Sequence, residues 1–238
     1  MKVVILAGGM GTRISEYTKS LIKPIPKPMI KVNGKPIIHR IIDHYIKYGH
    51  REFIIALGYK GKLIKKYFKK KKFKVKINIK LVDTGLKTMT GGRLKRLKKY
   101  LDQTFLMTYG DGLSNVDIKE LIKHHKSNGK NATLTAVKPP GRWGSLSIID
   151  NKVENFQEKP LGDGGWINGG FMVLNEKIFE FLKGNFLEML EGKPMEKLSK
   201  QKQLVGYKHK GFWQCMDTLK EKEYLASLIK KGTAPWEN

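Results

Sequence analysis

Short apolar runs alternate with helical patterns from the first residues up to Pro139, and no other feature of the sequence constrains the fold as strongly. An apolar run bounded by polar or glycine-rich segments predicts a buried strand. A chain in which such strands alternate with helices forms βαβ units around a mostly parallel sheet. The predicted strands are 2–6, 52–57, 77–82, 104–109 and 132–138.

The segments between these strands repeat apolar residues at helical spacing. The isoleucines within 37–46 predict a helix with one apolar face that ends near Gly49. Helical connections between successive strands favour a Rossmann-like α/β fold with a doubly wound, mostly parallel sheet. The other predicted helices cover 63–68, 94–101, 118–122 and 219–229.

The rhythm changes after Pro139, where shorter strand-like pieces, 145–149, 152–158 and 167–174, carry several glycines. We expect these pieces to form a β elaboration on the substrate side of the sheet. With 238 residues and 40% hydrophobic content, the chain is expected to form a single domain, 1–238.

Cysteine usage and hydropathy predict a soluble, cytoplasmic protein. Cys215 is the single cysteine, so an intramolecular disulfide and a zinc ribbon are both excluded. The first residues lack the apolar stretch of a signal peptide, and no window approaches about 18 continuous apolar residues, the length of a membrane span. No membrane partner is therefore expected.

The formal net charge of +26 suggests a nucleic-acid binder at first sight. However, 41 of the 47 basic residues are lysines scattered along the chain, whereas base readout favours arginine. This argues against nucleic acid as the partner. The densest run, 65–76, either contacts a polyanion or is a helix end that runs into an edge strand, where lysines discourage edge pairing. We favour the second reading.

A glycine-rich segment, Gly8-Gly9-Met10-Gly11-Thr12-Arg13, follows the first predicted strand. Ligands of an open parallel sheet bind beyond the carboxyl ends of its strands, and absent side chains let backbone N–H groups approach an anion. The spacing matches neither the Walker A pattern nor G-x-G-x-x-G. The segment is either an anion loop completed by Arg13 or a plain tight turn.

Lys27 lies between Pro26 and Pro28, which stiffen the backbone that carries its ammonium group. Such a preorganised cation suits a phosphate, although an exposed proline-rich loop would have the same sequence.

Two aspartates are candidate ligands of magnesium, which binds through one or two carboxylates together with phosphate oxygens. Asp111 lies between Gly110 and Gly112 after the fourth predicted strand, and Asp217 precedes the last predicted helix. Either could instead be a turn former or a helix cap.

A sugar phosphate would suit Lys159, which precedes a proline, and Asn168, which precedes Gly169 and Gly170. The lysine would hold the phosphate and the amide a hydroxyl. A β-turn and a bulge explain the same spacing equally well.

Taken in order, these motifs resemble the sugar-1-phosphate nucleotidyltransferase family over almost the whole chain. Two stretches, 83–93 and 211–214, are similar to its cytidylyl-transferring branch. The carriers are Leu6–Arg13, Pro26–Met29, Gly34–Pro36, Leu81–Gly85, Met89–Arg96, Tyr109–Gly112, Pro139–Arg142, Gln157–Pro160, Ile167–Gly170 and Gly211–Gln214.

The resemblance implies a glycosyltransferase-A-like fold with a nucleotide-binding half, about 1–138, and a sugar-phosphate-binding half, about 139–238. It implies a homo-oligomer that makes CDP-glucose and pyrophosphate from CTP and α-D-glucose 1-phosphate with Mg²⁺ as cofactor. A same-fold transferase for UTP, dTTP or another sugar phosphate is one alternative. A non-catalytic sugar-nucleotide or polyanion-binding protein is the other.

The resemblance also implies site residues. Arg13, Lys27 and Asp111 would be catalytic, Asp111 and Asp217 would bind magnesium, and Lys159, Asn168 and Gly169 would bind the sugar phosphate. The segment between Phe68 and Leu81 departs from the family, because it is shorter and rich in lysine. The implied nucleotide-binding residues are Leu6, Ala7, Gly8, Gly9, Gly11, Thr12, Arg13, Lys27, Thr88, Gly91, Gly92, Arg93 and Gly110.

Overall fold

A computed structural model describes residues 1–11, 14, 24–139, 145–150, 152–157 and 165–237. Its strands, numbered β1 to β13 in chain order, are Val3–Ala7, Lys31–Val32, Lys35–Pro36, Glu52–Leu57, Asn78–Asp83, Thr104–Tyr109, Gly112–Ser114, Ala132–Val137, Ser145–Ile149, Lys152–Gln157, Ile167–Asn175, Leu204–His209 and Trp213–Cys215. Its helices, α1 to α6, are Ile37–Lys47, Gly61–Lys70, Thr90–Leu97, Ile118–Asn128, Lys193–Lys200 and Leu219–Lys230.

Seven strands form one sheet in the order β12-β8-β11-β6-β1-β4-β5. β1 pairs in parallel with β4 and β6, and the β4–β5 and β12–β8 pairs are also parallel. β11 is antiparallel to both of its neighbours, so the sheet is mixed but mostly parallel. The α/β class predicted from the alternation of strands and helices is therefore confirmed.

Helices cover both faces of this sheet, as a doubly wound fold requires. Successive residues of β1 alternate between two apolar clusters, with Ile5 in one and Leu6 in the other. The apolar stripes of α1, α2, α4 and α6 pack into the first cluster, and those of α3 and α5 into the second. Full burial of each such side chain contributes about 1.5–3 kcal/mol.

The apolar runs predicted the central strands to within one residue at each end, but five strands were missed: β2, β3, β7, β12 and β13. β12 is an edge strand whose Gly206, Lys208 and His209 interrupt any apolar run, and β13 has only three residues. The expectation for 167–174 was wrong in another respect. This stretch is β11, which lies inside the main sheet because the run Phe171–Leu174 is buried, whereas 145–149 and 152–157 form the separate β9–β10 hairpin.

The lysine-rich run has the structure predicted for it. α2 ends at Lys70, exposed lysines occupy the following turn, and β5 is the last strand on its side of the sheet. Phe73 anchors the turn by stacking on His39, with 4.4 Å between the ring centroids. Within the described part of the chain, none of the helices has the length and apolar character needed to cross a membrane.

Candidate active site

A pocket of about 260 Å³ opens where the carboxyl ends of β1 and β6 meet the start of α3. Parallel strands present their carboxyl ends at one edge, so residues distant in sequence converge there. Eleven of the residues expected at the site line the pocket, together with Pro28, Met89, Thr90 and Tyr109. The eleven are Leu6, Ala7, Gly8, Gly9, Gly11, Lys27, Thr88, Arg93, Gly110, Asp111 and Asp217.

Three expected site residues, Thr12, Arg13 and Lys159, lie outside the described residues. Four others are described but do not line the pocket: Gly91, Gly92, Asn168 and Gly169.

One lip of the pocket is formed by Gly8, Gly9 and Gly11, which follow β1. A Cβ atom at Gly8 would lie 2.2 Å from the Arg93 guanidinium group, so no side chain fits there. At Gly9 a Cβ atom would meet no atom of the described residues within 4 Å, which leaves this part of the lip open to a ligand. Glycine at 8 is therefore explained by close packing, and the openness at 9 permits close approach of an anion.

Lys27 lies in a short 3₁₀ turn that follows Pro26. Its Nζ donates to Asp111 Oδ2 at 2.7 Å and to Asp217 Oδ1. Burial opposes the charge of Lys27, but the attraction and hydrogen bonds of the two carboxylates outweigh it and raise its pKa above the usual value. The ammonium group therefore stays charged and bridges the two aspartates.

Asp111 follows β6, and Asp217 lies between β13 and α6. Asp217 does not cap the last helix, because Thr218 does so in a capping box with Glu221. The Asp217 side chain is only 7% exposed, and that of Asp111 is 31% exposed. The two carboxylates supply the oxygen ligands that a hard divalent cation prefers.

The described residues contain no cluster of three or more His, Cys, Asp or Glu side chains that could hold a metal ion. A cation held by Asp111 and Asp217 would therefore complete its coordination with substrate oxygens and water, as Mg²⁺ usually does.

Arg93 lies in the pocket wall, where protein oxygens surround its buried guanidinium group. It donates to the carbonyls of Gly8 and Leu57, which belong to the ends of β1 and β4. It also donates to Thr84 Oγ1 and to the carbonyls of Gly85 and Leu86 beyond β5. Arg93 therefore ties three strand ends together, in addition to facing the pocket.

Gly91 and Gly92 face away from the pocket, against the segment 186–190. A Cβ atom would lie 2.9 Å from the Glu188 carbonyl oxygen at Gly91 and 2.4 Å from the Phe186 carbonyl oxygen at Gly92. The two glycines are thus explained by close backbone contact. The neighbouring Thr88, which the resemblance also placed on the nucleotide side, does line the pocket.

Asn168 and Gly169 lie at the start of β11, where the pairing with β8 shifts register. Asn168 Oδ1 accepts from the backbone N–H of Gly170 at 2.9 Å, and the Gly169 carbonyl accepts from Trp213 Nε1 at 2.7 Å. The bulge that the sequence allowed is therefore present, and both residues have structural tasks there.

Sequence reasoning missed Tyr109 and Glu191 as members of the site. Tyr109 is the last residue of β6 and lines the pocket, and its hydroxyl donates to Glu191. The position of Tyr109 directly before the Gly-Asp-Gly motif could have indicated it. Glu191 lies outside every recognised motif, so no local signal could have found it.

This fold and pocket are those of a nucleotide-transferring enzyme: the Nucleotidyl transferase family model matches residues 2–220, and the chain belongs to that family. It is 47% identical to the glucose-1-phosphate cytidylyltransferase of Salmonella typhimurium, over 259 aligned positions that cover 100% of this chain and 99% of that enzyme. It is 39% identical to a probable glucose-1-phosphate cytidylyltransferase of Bacillus subtilis, with 100% and 99% of the two chains covered. Among solved structures, HddC from Yersinia pseudotuberculosis is similar, with a TM-score of 0.71, 27% identity and 96% and 99% coverage.

Proposed function

We propose that this enzyme transfers a cytidylyl group from CTP to α-D-glucose 1-phosphate and releases CDP-glucose and pyrophosphate. The observation that carries this proposal is the cluster of Lys27, Asp111 and Asp217 beside an open glycine lip. Such a cluster suits two anionic substrates that must react with each other. The choice of cytosine and glucose is supported by the full-length similarity to enzymes of that name.

The reaction needs no general base, because the phosphate monoester of the sugar is already a nucleophile. One of its oxygens attacks the α-phosphorus of CTP and forms the new P–O bond. The bond from the α-phosphorus to the oxygen that bridges to the β-phosphate breaks, and pyrophosphate leaves with that electron pair. Catalysis then consists of positioning two mutually repelling anions and neutralising charge in the transition state.

We assign these tasks to residues of the pocket and, for Arg13, Lys159 and Asn168, to residues that the family resemblance implies. The open lip at Gly9 admits the triphosphate, and Lys27 together with Arg13 neutralises it. Thr88 and Gly110 border the nucleotide, and Arg93 keeps the wall behind it in place. Lys159 holds the sugar phosphate, and Asn168 binds a sugar hydroxyl.

We infer that Asp111 and Asp217 hold a divalent cation, Mg²⁺, during turnover. The bound cation would offset negative charge that develops on the reacting phosphates. Because Lys27 pairs with the same two carboxylates, its ammonium group and the cation compete for them. Displaced from the aspartates, Lys27 would be close enough to pair with a phosphate instead.

Pyrophosphate release, measured with CTP, UTP, dTTP and GTP in turn and with several sugar 1-phosphates, tests the substrate choice. We expect CTP with glucose 1-phosphate to give the highest kcat/KM. Turnover of dTTP without turnover of CTP would refute the proposal. Sugar-nucleotide binding that Asp111→Asn leaves intact, in a protein without turnover, would favour the non-catalytic alternative.

We also propose that the enzyme acts in the cytoplasm as a homo-oligomer, as the family resemblance implies. Sedimentation of the purified chain tests the assembly, and a monomer that turns over at full rate would contradict it.

A further inference from the structure

Glu191 joins two walls of the pocket without lining the pocket itself. One oxygen of its carboxylate, Oε1, accepts from the Tyr109 hydroxyl, and the other, Oε2, accepts from the Thr90 hydroxyl. Tyr109 ends β6 directly before Gly110 and Asp111, whereas Thr90 is the first residue of α3. A single carboxylate therefore links the wall that carries Asp111 to the wall that begins with Thr88.

The segment around Glu191 is fastened to the start of α3 by further hydrogen bonds. The backbone N–H of Met89 donates to the Phe186 carbonyl at 2.8 Å, and that of Gly92 donates to the Glu188 carbonyl at 3.2 Å. The backbone N–H of Leu190 donates to Thr90 Oγ1 at 2.9 Å. The absence of side chains at 91 and 92 is what allows this approach. The segment 186–191 thus positions the first turn of α3 as one unit.

The Tyr109 phenol is suited to donate to this carboxylate. Its hydroxyl carries a proton to donate, and a carboxylate oxygen of Glu191 accepts it. Hydrogen bonds to an ionised acceptor are stronger than neutral ones, and both oxygens of Glu191 are used. The link is therefore directional as well as strong.

We propose that Glu191 is a positioning residue, which holds the nucleotide wall at Thr88–Thr90 in register with the carboxylate of Asp111. This assignment rests on the proposed function, since it takes both walls to face the reacting phosphates. A misplacement of about 1 Å between reacting groups can lower a rate about 100-fold. Loss of the link should therefore reduce kcat more than it weakens substrate binding.

Glu191→Gln tests the role, because glutamine keeps the size of the side chain but removes its charge and one acceptor oxygen. We expect kcat to fall about tenfold, with KM for glucose 1-phosphate changed by less than about twofold. Glu188→Gln is the matched control, since its carboxylate lies in the same segment but accepts from the backbone N–H of Gly184 rather than from either pocket wall. Equal kcat values for the two variants would overturn the proposal.

A double-mutant cycle separates positioning from direct action on the substrate. In a background of Tyr109→Phe and Thr90→Val, Glu191→Gln should lower kcat by less than about twofold, because its partners are already gone. An undiminished effect in that background would refute the positioning role.

Hydrogen exchange provides a readout that does not depend on the identity of the nucleotide. The amides of 88–92 should exchange faster in Glu191→Gln than in the wild type or in Glu188→Gln, and unchanged exchange would count against the link. If the wild type turns over another triphosphate in place of CTP, the proposed function fails, while the ratio of variant to wild-type kcat with that triphosphate still tests Glu191.

Discussion

Replacing Lys27 by methionine removes the cation that the buried Asp217 and the partly exposed Asp111 share, while it keeps most of the side-chain volume. Removal of one partner from a buried ion pair destabilises a protein by about 3–5 kcal/mol. Because the Asp111 side chain is 31% exposed, solvent screens part of the resulting repulsion, and we take the lower end, about 3 kcal/mol. For a chain of 238 residues this corresponds to a fall in Tm of about 6–12 °C.

The same substitution should change how the protein responds to divalent cations. In the wild type, Mg²⁺ without nucleotide must displace the Lys27 ammonium group, so we expect little change in Tm. In Lys27→Met the two carboxylates no longer hold that ammonium group. Millimolar Mg²⁺ should therefore raise the Tm of the variant and recover a large part of the loss. Thermal unfolding followed by circular dichroism, with and without Mg²⁺, measures both effects. Turnover should fall in either condition, since the phosphates also lose a cation.

Lys35→Met is the matched control, because Lys35 forms a 2.8 Å pair with Asp43 in which both side chains are 40% exposed. Such a surface pair contributes about 0–1 kcal/mol. A Lys27→Met protein as stable as this control, or one whose Tm rises with Mg²⁺ no more than that of the wild type, would refute the shared-carboxylate reasoning.

Three further predictions test other parts of the structure. Burial lowers the pKa of His44 to about 4, so the folded state resists protonation and stability is lost as the pH falls from about 6.5 towards 4. In urea titrations His44→Gln should remove about 3 kcal/mol of that acid loss, and an acid loss as large as that of the wild type would contradict this reasoning. Gly92→Ala places a Cβ atom 2.4 Å from a backbone oxygen and should lower the free energy of unfolding by about 1–3 kcal/mol. Gly9→Ala should instead keep the Tm and raise KM for CTP. A reversed pattern would contradict the packing argument. Arg93→Lys leaves protein carbonyls without donors. The affinities for CTP and for CMP, measured by calorimetry, should therefore fall by similar factors. A much larger loss of affinity for CTP would indicate that Arg93 contacts the outer phosphates directly.

The central strands could be predicted because each is a continuous apolar run, and burial on both faces of a sheet requires such a run. Glu52–Leu57 and Thr104–Tyr109 match the predicted bounds. β12 escaped prediction because an edge strand needs no such run. The place of β11 escaped as well, since strand order depends on contacts between distant segments.

At the site, the sequence predicted which residue types follow the strands but not which of them meet. The structure brings the glycine lip, Lys27, Asp111 and Asp217 to one pocket. It also shows that Gly91 and Gly92 serve backbone packing. Nothing in the local pattern distinguishes a glycine that faces a ligand from one that faces another segment.

The sequence by itself determined the α/β class, the bounds of the central strands and the set of motifs, because hydrophobic periodicity and turn chemistry are local properties. Only the tertiary structure decided the partners of the charged groups. Lys27 is 84 and 190 residues away from the aspartates that it bridges, and Glu191 is 82 residues from Tyr109. Such pairs exist because strands from distant parts of the chain lie side by side in one sheet, and their strength depends on the burial that this arrangement creates.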